Sequence, residues 1–265
     1  MSKNNYRFIA SVIFLFACLV SLAQHTTIGK QGEEKAPPPG KHKVMLIPFE
    51  PRMYMSEIDY AINAETKLTG KQIKAAFRDG INEQLYKAFK AQHMVVDLMD
   101  DTVKTKKDLE NVYQYLSYEY MKVPDQNNYT PPKKEKDEKK IDKGQIVVET
   151  DNEKRFMNAK VKNATLVPYL YGKYKSDIFV FVNQLDIKAS NSGGPADLPA
   201  TSGFRKIIVH YTVYTFDAKE INSGVAEVEF PSTINNPSKI IGTYFSKISQ
   251  TIAQRVNLVL KPKVK

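Results

Sequence analysis

Few residues in this sequence are suited to chemistry, and their spacing excludes more than it supports. Nucleophilic catalysis needs a Ser, Cys or Thr beside a base. The one cysteine is Cys18, the imidazole bases are His25, His42, His93 and His210, and no Gly-x-Ser-x-Gly turn occurs. His25 and His42 fall in a polar leader, His93 stands where a helix hands over to a strand, and His210 is in mid-strand. Each reads as a surface or satisfied structural residue rather than a base. Carboxylate chemistry has two candidate pairs, Asp97 with Asp101 (beside Asp100) and Glu57 with Asp59, both placed after strands, where α/β sheets host sites. Neither pair belongs to an EF-hand, a His-Glu-x-x-His helix or a His–carboxylate cluster. No metal ligand is assigned, and no cofactor is expected. Ser192 to Pro195 (SGGP) is followed by a strand and lacks the Lys-Ser/Thr pair of a phosphate-binding loop, so it reads as a hairpin loop.

The tyrosines are more informative. Tyr113, Tyr115, Tyr118, Tyr120 and Tyr129 cluster just ahead of Lys133, Lys134 and Lys136, and Tyr169, Tyr171 and Tyr174 form a second group. If Leu109 to Met121 is helical, Tyr113 and Tyr120 share a face with Leu116 while Tyr115 and Tyr118 point elsewhere, so the rings cannot all enter one core. An exposed tyrosine beside lysine offers a large contact area at little entropic cost. The first group and its lysines are therefore the candidate partner-binding residues; internal packing of the rings is the competing reading.

The N-terminus sets the compartment in which such a surface would work. Lys3 and Arg7 precede an apolar run, Phe8 to Val20, and Ser21-Leu22-Ala23 supplies small residues before Gln24. This is the pattern of a secretory signal peptide over residues 1–23, and the run is shorter than the ~20 apolar residues a membrane span needs. Leu15-Phe16-Ala17-Cys18 is similar to a lipoprotein signal, which makes Cys18 the candidate lipidation residue. Bulky Phe16 and the apolar stub after Cys18 favour cleavage after Ala23 instead, leaving a mature chain without cysteine and so without disulfide or thiolate chemistry. Of 39 basic residues the signal removes two, so 37 face 29 acidic ones, a balance of +8. Such a charge serves solubility, and outside the cytoplasm it can meet a protein partner, anionic lipid or anionic glycan; nucleic acid is excluded by the compartment.

The elements that must position these residues follow from periodicity. His25 to His42 is Pro- and Gly-rich and reads as a tether (residues 24–42). Val44 to Ile47 is a buried strand ended by Pro48, and a polar loop carries Arg52, Glu57, Asp59 and Glu65. Thr69 and Gln72 make a capping box for a helix over 70–91, with Ile73, Phe77, Ile81, Leu85 and Phe89 as its stripe. Met94 to Met99 closes a βαβ unit. Residues 100–162 read as an insertion, with a mobile Lys-rich segment at 127–143 and a hairpin pairing Gln145–Glu149 with Arg155–Val161. Three antiparallel strands follow, Asp177–Ile187, Phe204–Asp217 and Gly224–Phe230. In the second, Ile207, Val209, Tyr211 and Val213 oppose Ile208, His210, Thr212 and Tyr214. Asn236 and Pro237 start a last amphipathic helix. The expected fold is one α/β domain over 43–260, a mixed sheet of about five strands covered by two amphipathic helices, in two or three layers.

The run KVMLIPFEP, the helix TGKQIKAAFRDGINEQLYKAF and the strand pair before the capped C-terminal helix resemble the periplasmic α/β domain of the curli secretion (CsgG-like) family, the TolB N-terminal domain and the lipoprotein activators of penicillin-binding proteins. The signal ending in SLAQ is similar to those of small secreted proteins of the Bacteroidota. The likeness covers about half the mature chain and lies in element order, without a diagnostic motif. It implies a non-catalytic accessory at the periplasmic face of the outer membrane or in the periplasm, docked on an envelope partner. A periplasmic hydrolase acting on glycan or lipid, or an anionic-ligand binder, is the alternative.

Overall fold

The computed structural model describes residues 41–99, 102–133, 141–142, 145–146, 154–189 and 203–261. The chain runs through β1 (Lys43–Ile47), a 3-10 turn (Pro51–Met53), β2 (Tyr54–Ser56), α1 (Asp59–Thr66), α2 (Gly70–Lys90) and β3 (Met94–Asp97). Next come α3 (Thr102–Tyr115), β4 (Leu116–Lys122), the short β5 (Ile141–Asp142) and β6 (Gln145–Ile146), β7 (Arg155–Val161) and α4 (Leu166–Tyr174). The last part is β8 (Ile178–Ala189), β9 (Phe204–Thr215), β10 (Glu220–Pro231) and a helix running from α5 (Pro237–Ile240) through a π-turn (Ile241–Phe245) into α6 (Ser246–Leu260).

The main sheet has the order β10-β9-β8-β1-β3, with β2 added against β8. β1 lies parallel to β3 and to β8, while β8, β9 and β10 are antiparallel neighbours. A mixed α/β domain with a central, wholly buried first strand results, as expected from the apolar run Val44 to Ile47. Among the described residues no helix is long and apolar enough to cross a membrane.

One face of the sheet is mainly apolar. Val44, Leu46, Ile178, Val180, Ile207 and Val209 meet Ile73, Phe77, Ile81, Leu85 and Phe89 of α2 and Ile248, Ile252 and Val256 of α6. Each such side chain contributes about 1.5–3 kcal/mol on burial. The Thr69–Gln72 capping box closes reciprocally, so α2 begins where the sequence places it. Asn236 caps α5 through the Lys239 N–H, and Pro237 holds its first turn. Gly80 allows the two helical elements to approach closely, because a Cβ there would stand 2.6 Å from Ile241.

The opposite face is also covered. Met45, Ile47, Phe179, Phe181 and Tyr214 pack with Val112 of α3, Leu116 and Ala159 of the β4–β7 ribbon, and Leu166, Val167 and Leu170 of α4. The domain therefore has three layers, and the stretch read as an insertion supplies part of the second core. Four local expectations change. The helix read over Leu109 to Met121 stops at Tyr115, and Leu116–Lys122 is a strand, because these Tyr-rich residues find a seven-residue antiparallel partner in β7. For the same reason β7 does not pair with residues around 145: β6 pairs with β5 instead. The polar loop after β1 holds a turn, a short strand and α1. α4, built on Leu166-Val167-Pro168, carries no periodicity long enough to be read in advance.

Candidate functional site

The two halves of the second sheet face differ. Toward the start of β8 it is filled by Phe179 and Phe181; further along, the register shifts between Val182 and Gln184, and polar side chains take over. This bulge keeps Val182 and Leu185 on the apolar face and leaves Asn183 on the other. Asn183 Nδ2 donates to the Met157 carbonyl at 2.8 Å and to Thr212 Oγ1 at 2.7 Å. Thr212 donates to Asn158 Oδ1 at 2.6 Å and accepts from the Ala159 N–H at 3.2 Å. The Met157 N–H donates to His210 Nδ1 at 2.9 Å. β7, laddered to β4, thus lies across the main sheet, to which its backbone is held by sheet side chains rather than by a second ladder. Its buried peptide groups require those partners.

Beside this crossing lies a groove of about 720 Å³. Gln184, Asp186 and His210 line it from β8 and β9, Tyr120 and Arg155 from the ribbon, and Met55 from β2. His210 is 4% exposed, and its Nε2 lies 3.3 Å from Asp186 Oδ2, a charge approach without hydrogen-bond alignment. Gln184 Nε2 donates to the other Asp186 oxygen at 2.6 Å. Because Nδ1 accepts from the Met157 N–H, the neutral ring carries its proton on Nε2, facing the carboxylate. Neither ring nitrogen has a lone pair left to take a proton from a substrate. At the rim, Lys154 pairs with Glu227 at 2.9 Å and Lys206 with Glu229 at 3.5 Å. Tyr120 and Met55 stand 61% and 52% exposed above this floor.

The tyrosines predicted as a contact surface separate into different roles. Tyr113 is half-buried; its hydroxyl donates to the Pro48 carbonyl at 2.9 Å and accepts from Arg78 at 2.8 Å. Burial pushes its phenol up to about 12, against the opposing pull of Arg78. Tyr118 packs against both cores, and burial raises its phenol as well. Tyr129 donates to Glu220 Oε1 at 2.9 Å, and burial likewise raises it. Tyr115 and Tyr120 are exposed, and of the five only Tyr120 lines the groove. Lys133 is exposed. Lys134, Lys136, Cys18, Asp100, Asp101 and Ser192 to Pro195 lie outside the described residues.

Tyr129 belongs to a strap that protects the sheet edge. Gln126 Nε2 donates to the Ser223 carbonyl of β10 at 2.9 Å, and Lys160 pairs with buried Glu220 at 2.6 Å. Gly224 has φ +144°, and a Cβ there would come within 2.9 Å of Gln126 Nε2. Only glycine combines that backbone with so close a crossing. An edge strand covered in this way resists pairing with foreign strands.

The carboxylates singled out as pairs serve local structure. Asp97 accepts from Asn82 and from the Met99 N–H, Asp59 accepts from Tyr54, and Glu57 accepts from the Ala189 N–H. Among the described residues no group of three or more His, Cys, Asp or Glu side chains is arranged to hold a metal ion. Asp186 and His210 as the groove floor were missed by sequence reasoning. Their signal was the run of polar residues, Asn183, Asp186, His210 and Thr212, at face positions of otherwise apolar strands.

No protein-family model matches the chain, and no curated relative does. Among solved structures it is similar to the lipoprotein GNA1162 from Neisseria meningitidis, at 10% identity and a TM-score of 0.36, with 80% of this chain and 99% of that chain covered. It is also similar to the hypothetical protein CT253 from Chlamydia trachomatis, at 10% identity and a TM-score of 0.37, covering 83% and 98%.

Proposed function

We propose that this protein is a non-catalytic accessory of the bacterial envelope, and that its groove holds an extended segment of an envelope protein partner. The observation that carries this reading is a polar floor of Gln184, Asp186 and His210 beneath Tyr120 and Met55, which stand 61% and 52% exposed above it. Such a floor orients a bound chain while the exposed side chains grip it. Tyr, Met and Arg are the residue types enriched where protein interfaces concentrate their contacts, and Tyr120, Met55 and Arg155 stand together here. The export signal read from residues 1–23 supports the envelope as the compartment. The test is photo-crosslinking in living cells from Tyr120 and from Met55, with Leu258 on α6, exposed and on the helix that packs the opposite face of the sheet, as the control. One dominant envelope-protein adduct is expected from both groove positions and not from Leu258, and Ile208→Asp in the groove should abolish it. Adducts equal at all three positions, or adducts indifferent to Ile208→Asp, would overturn the reading. Specific retention of a glycan in place of a protein would do so too.

A further inference from the structure

The far end of the same sheet carries a second surface of different chemistry. Tyr171 at the end of α4 and Phe216 in the β9–β10 turn are 40% and 48% exposed, with their rings 5.1 Å apart. Lys175 stands over the Tyr171 ring, 6.0 Å from its centroid. Lys219 is exposed in the same turn as Phe216. Tyr169, also exposed, and Lys173 are held in place by buried Asp108. Around the rings, Lys41, Lys175 and Lys219 are exposed against two acids, exposed Asp217 and part-exposed Asp177, the second of which is paired with His42.

This surface adjoins the point where the chain comes in from its N-terminal segment. The Phe216 N–H donates to the Asp177 carbonyl at 3.0 Å, and the Asp177 carboxylate holds His42 Nδ1 at 2.5 Å and the Lys43 N–H at 2.6 Å. The polypeptide that leads to the apolar run Phe8 to Val20 thus leaves the domain next to the Tyr171–Phe216 pair. The groove lies at the opposite end of the long strands, near Gln184 to Lys188 of β8 and Lys206 to His210 of β9.

We infer that Tyr171, Phe216, Lys175 and Lys219 form an interfacial contact with an anionic lipid surface, which holds the domain with its groove facing away from the membrane. Aromatic rings of this kind settle at the headgroup level, where one side is apolar and the other wet. Lysines around them lay their methylene stems on the apolar boundary and bring their ammonium groups to the phosphates. The pair is too small to insert deeply, so binding is reversible and depends on charge. The inference is independent of what occupies the groove.

Flotation with vesicles tests it, using the chain from Gln24 onward so that no signal segment or acyl group contributes. Binding to phosphatidylglycerol-rich vesicles should exceed binding to phosphatidylcholine vesicles several-fold and weaken as salt is raised. Tyr171→Ser with Phe216→Ser should reduce it several-fold, and so should Lys175→Glu with Lys219→Glu, both exposed. Tyr120→Ser, at the groove, should leave it unchanged. Equal binding to both vesicle types, or no binding at all, would overturn the inference. Loss with Tyr120→Ser as large as with the patch variants would also do so, and a protein partner captured at Phe216 in place of lipid would assign the surface elsewhere.

Discussion

The two faces of the sheet are built from alternate residues of the same strands, yet they are held by different forces. On the first, β8 and β9 offer Val180, Val182, Val209 and Val213 to helices that are apolar where they touch. On the second, Asn183, Thr212 and His210 anchor the backbone of a ribbon that crosses the sheet. Apolar contact is non-directional and tolerates any partner of the right volume. Hydrogen-bonded contact fixes one orientation, because each buried donor or acceptor loses its partner if the ribbon turns. The apolar contacts of both faces, with Phe179 and Phe181 on the second, supply stability, and the hydrogen-bonded half of the second face supplies the geometry that forms the groove.

This contrast can be broken experimentally, beginning with the apolar face. Phe77→Ala removes a fully buried ring that meets Phe245 at 5.5 Å. It should cost about 3–5 kcal/mol in urea unfolding; a loss below ~1 kcal/mol would show that this core is not the main source of stability. On the other side of the sheet, Asp108→Asn should cost about 2 kcal/mol, because the buried carboxylate accepts from Lys173 at 2.6 Å, from Tyr169 at 2.9 Å and from Tyr174. Burial by itself would raise the Asp108 carboxyl, but those donors outweigh it and hold the group below its ordinary value. The unfolded chain then takes up the proton first. The contribution is therefore complete above a pH of about 4, the unfolded carboxyl's value, and is lost as pH falls through the lower folded value. Urea midpoints measured down through this window should converge for the wild type and Asp108→Asn; a constant gap would assign the cost to something other than the charge.

The smallest of the three effects sharpens the comparison most. Thr212→Val keeps the shape of the side chain but takes the acceptor from the Ala159 N–H and from Asn183, and the donor from Asn158. A cost of about 1–2 kcal/mol is expected. Amide exchange should quicken at Ala159 and Met157 while the amides of α2 stay protected. If exchange instead rises equally in both regions, the ribbon and the helical face unfold as one unit and the division of roles fails.

Much of the first face was legible beforehand. The stripe Ile73 to Phe89 has one helical period, Thr69 and Gln72 cap it, and Ile207 to Val213 alternate along one strand. These are local signals, and local sterics and capping were enough to place α2, the sheet strands from β8 to β10 and the C-terminal helix. The second face was not legible in the same way. Leu116 to Lys122 has helical spacing when read alone and becomes a strand because β7, some 40 residues later, pairs with it. Tyr129 sits in a polar, charged stretch and is drawn down by Glu220, which is 91 residues away in the chain.

By itself, then, the sequence determined the mixed α/β class, the central first strand, the two capped helices that cover one face and the alternation that sends His210 opposite Val209. Only the tertiary structure decided which of the clustered tyrosines would be exposed, that β7 would cross the sheet rather than join it, and that Asp186 and His210 would meet at the floor of a groove. The physical reason is the range of the forces involved. Helix caps and hydrophobic periods act over a few residues, whereas a buried peptide group is satisfied by whichever distant side chain the packing brings within 3 Å.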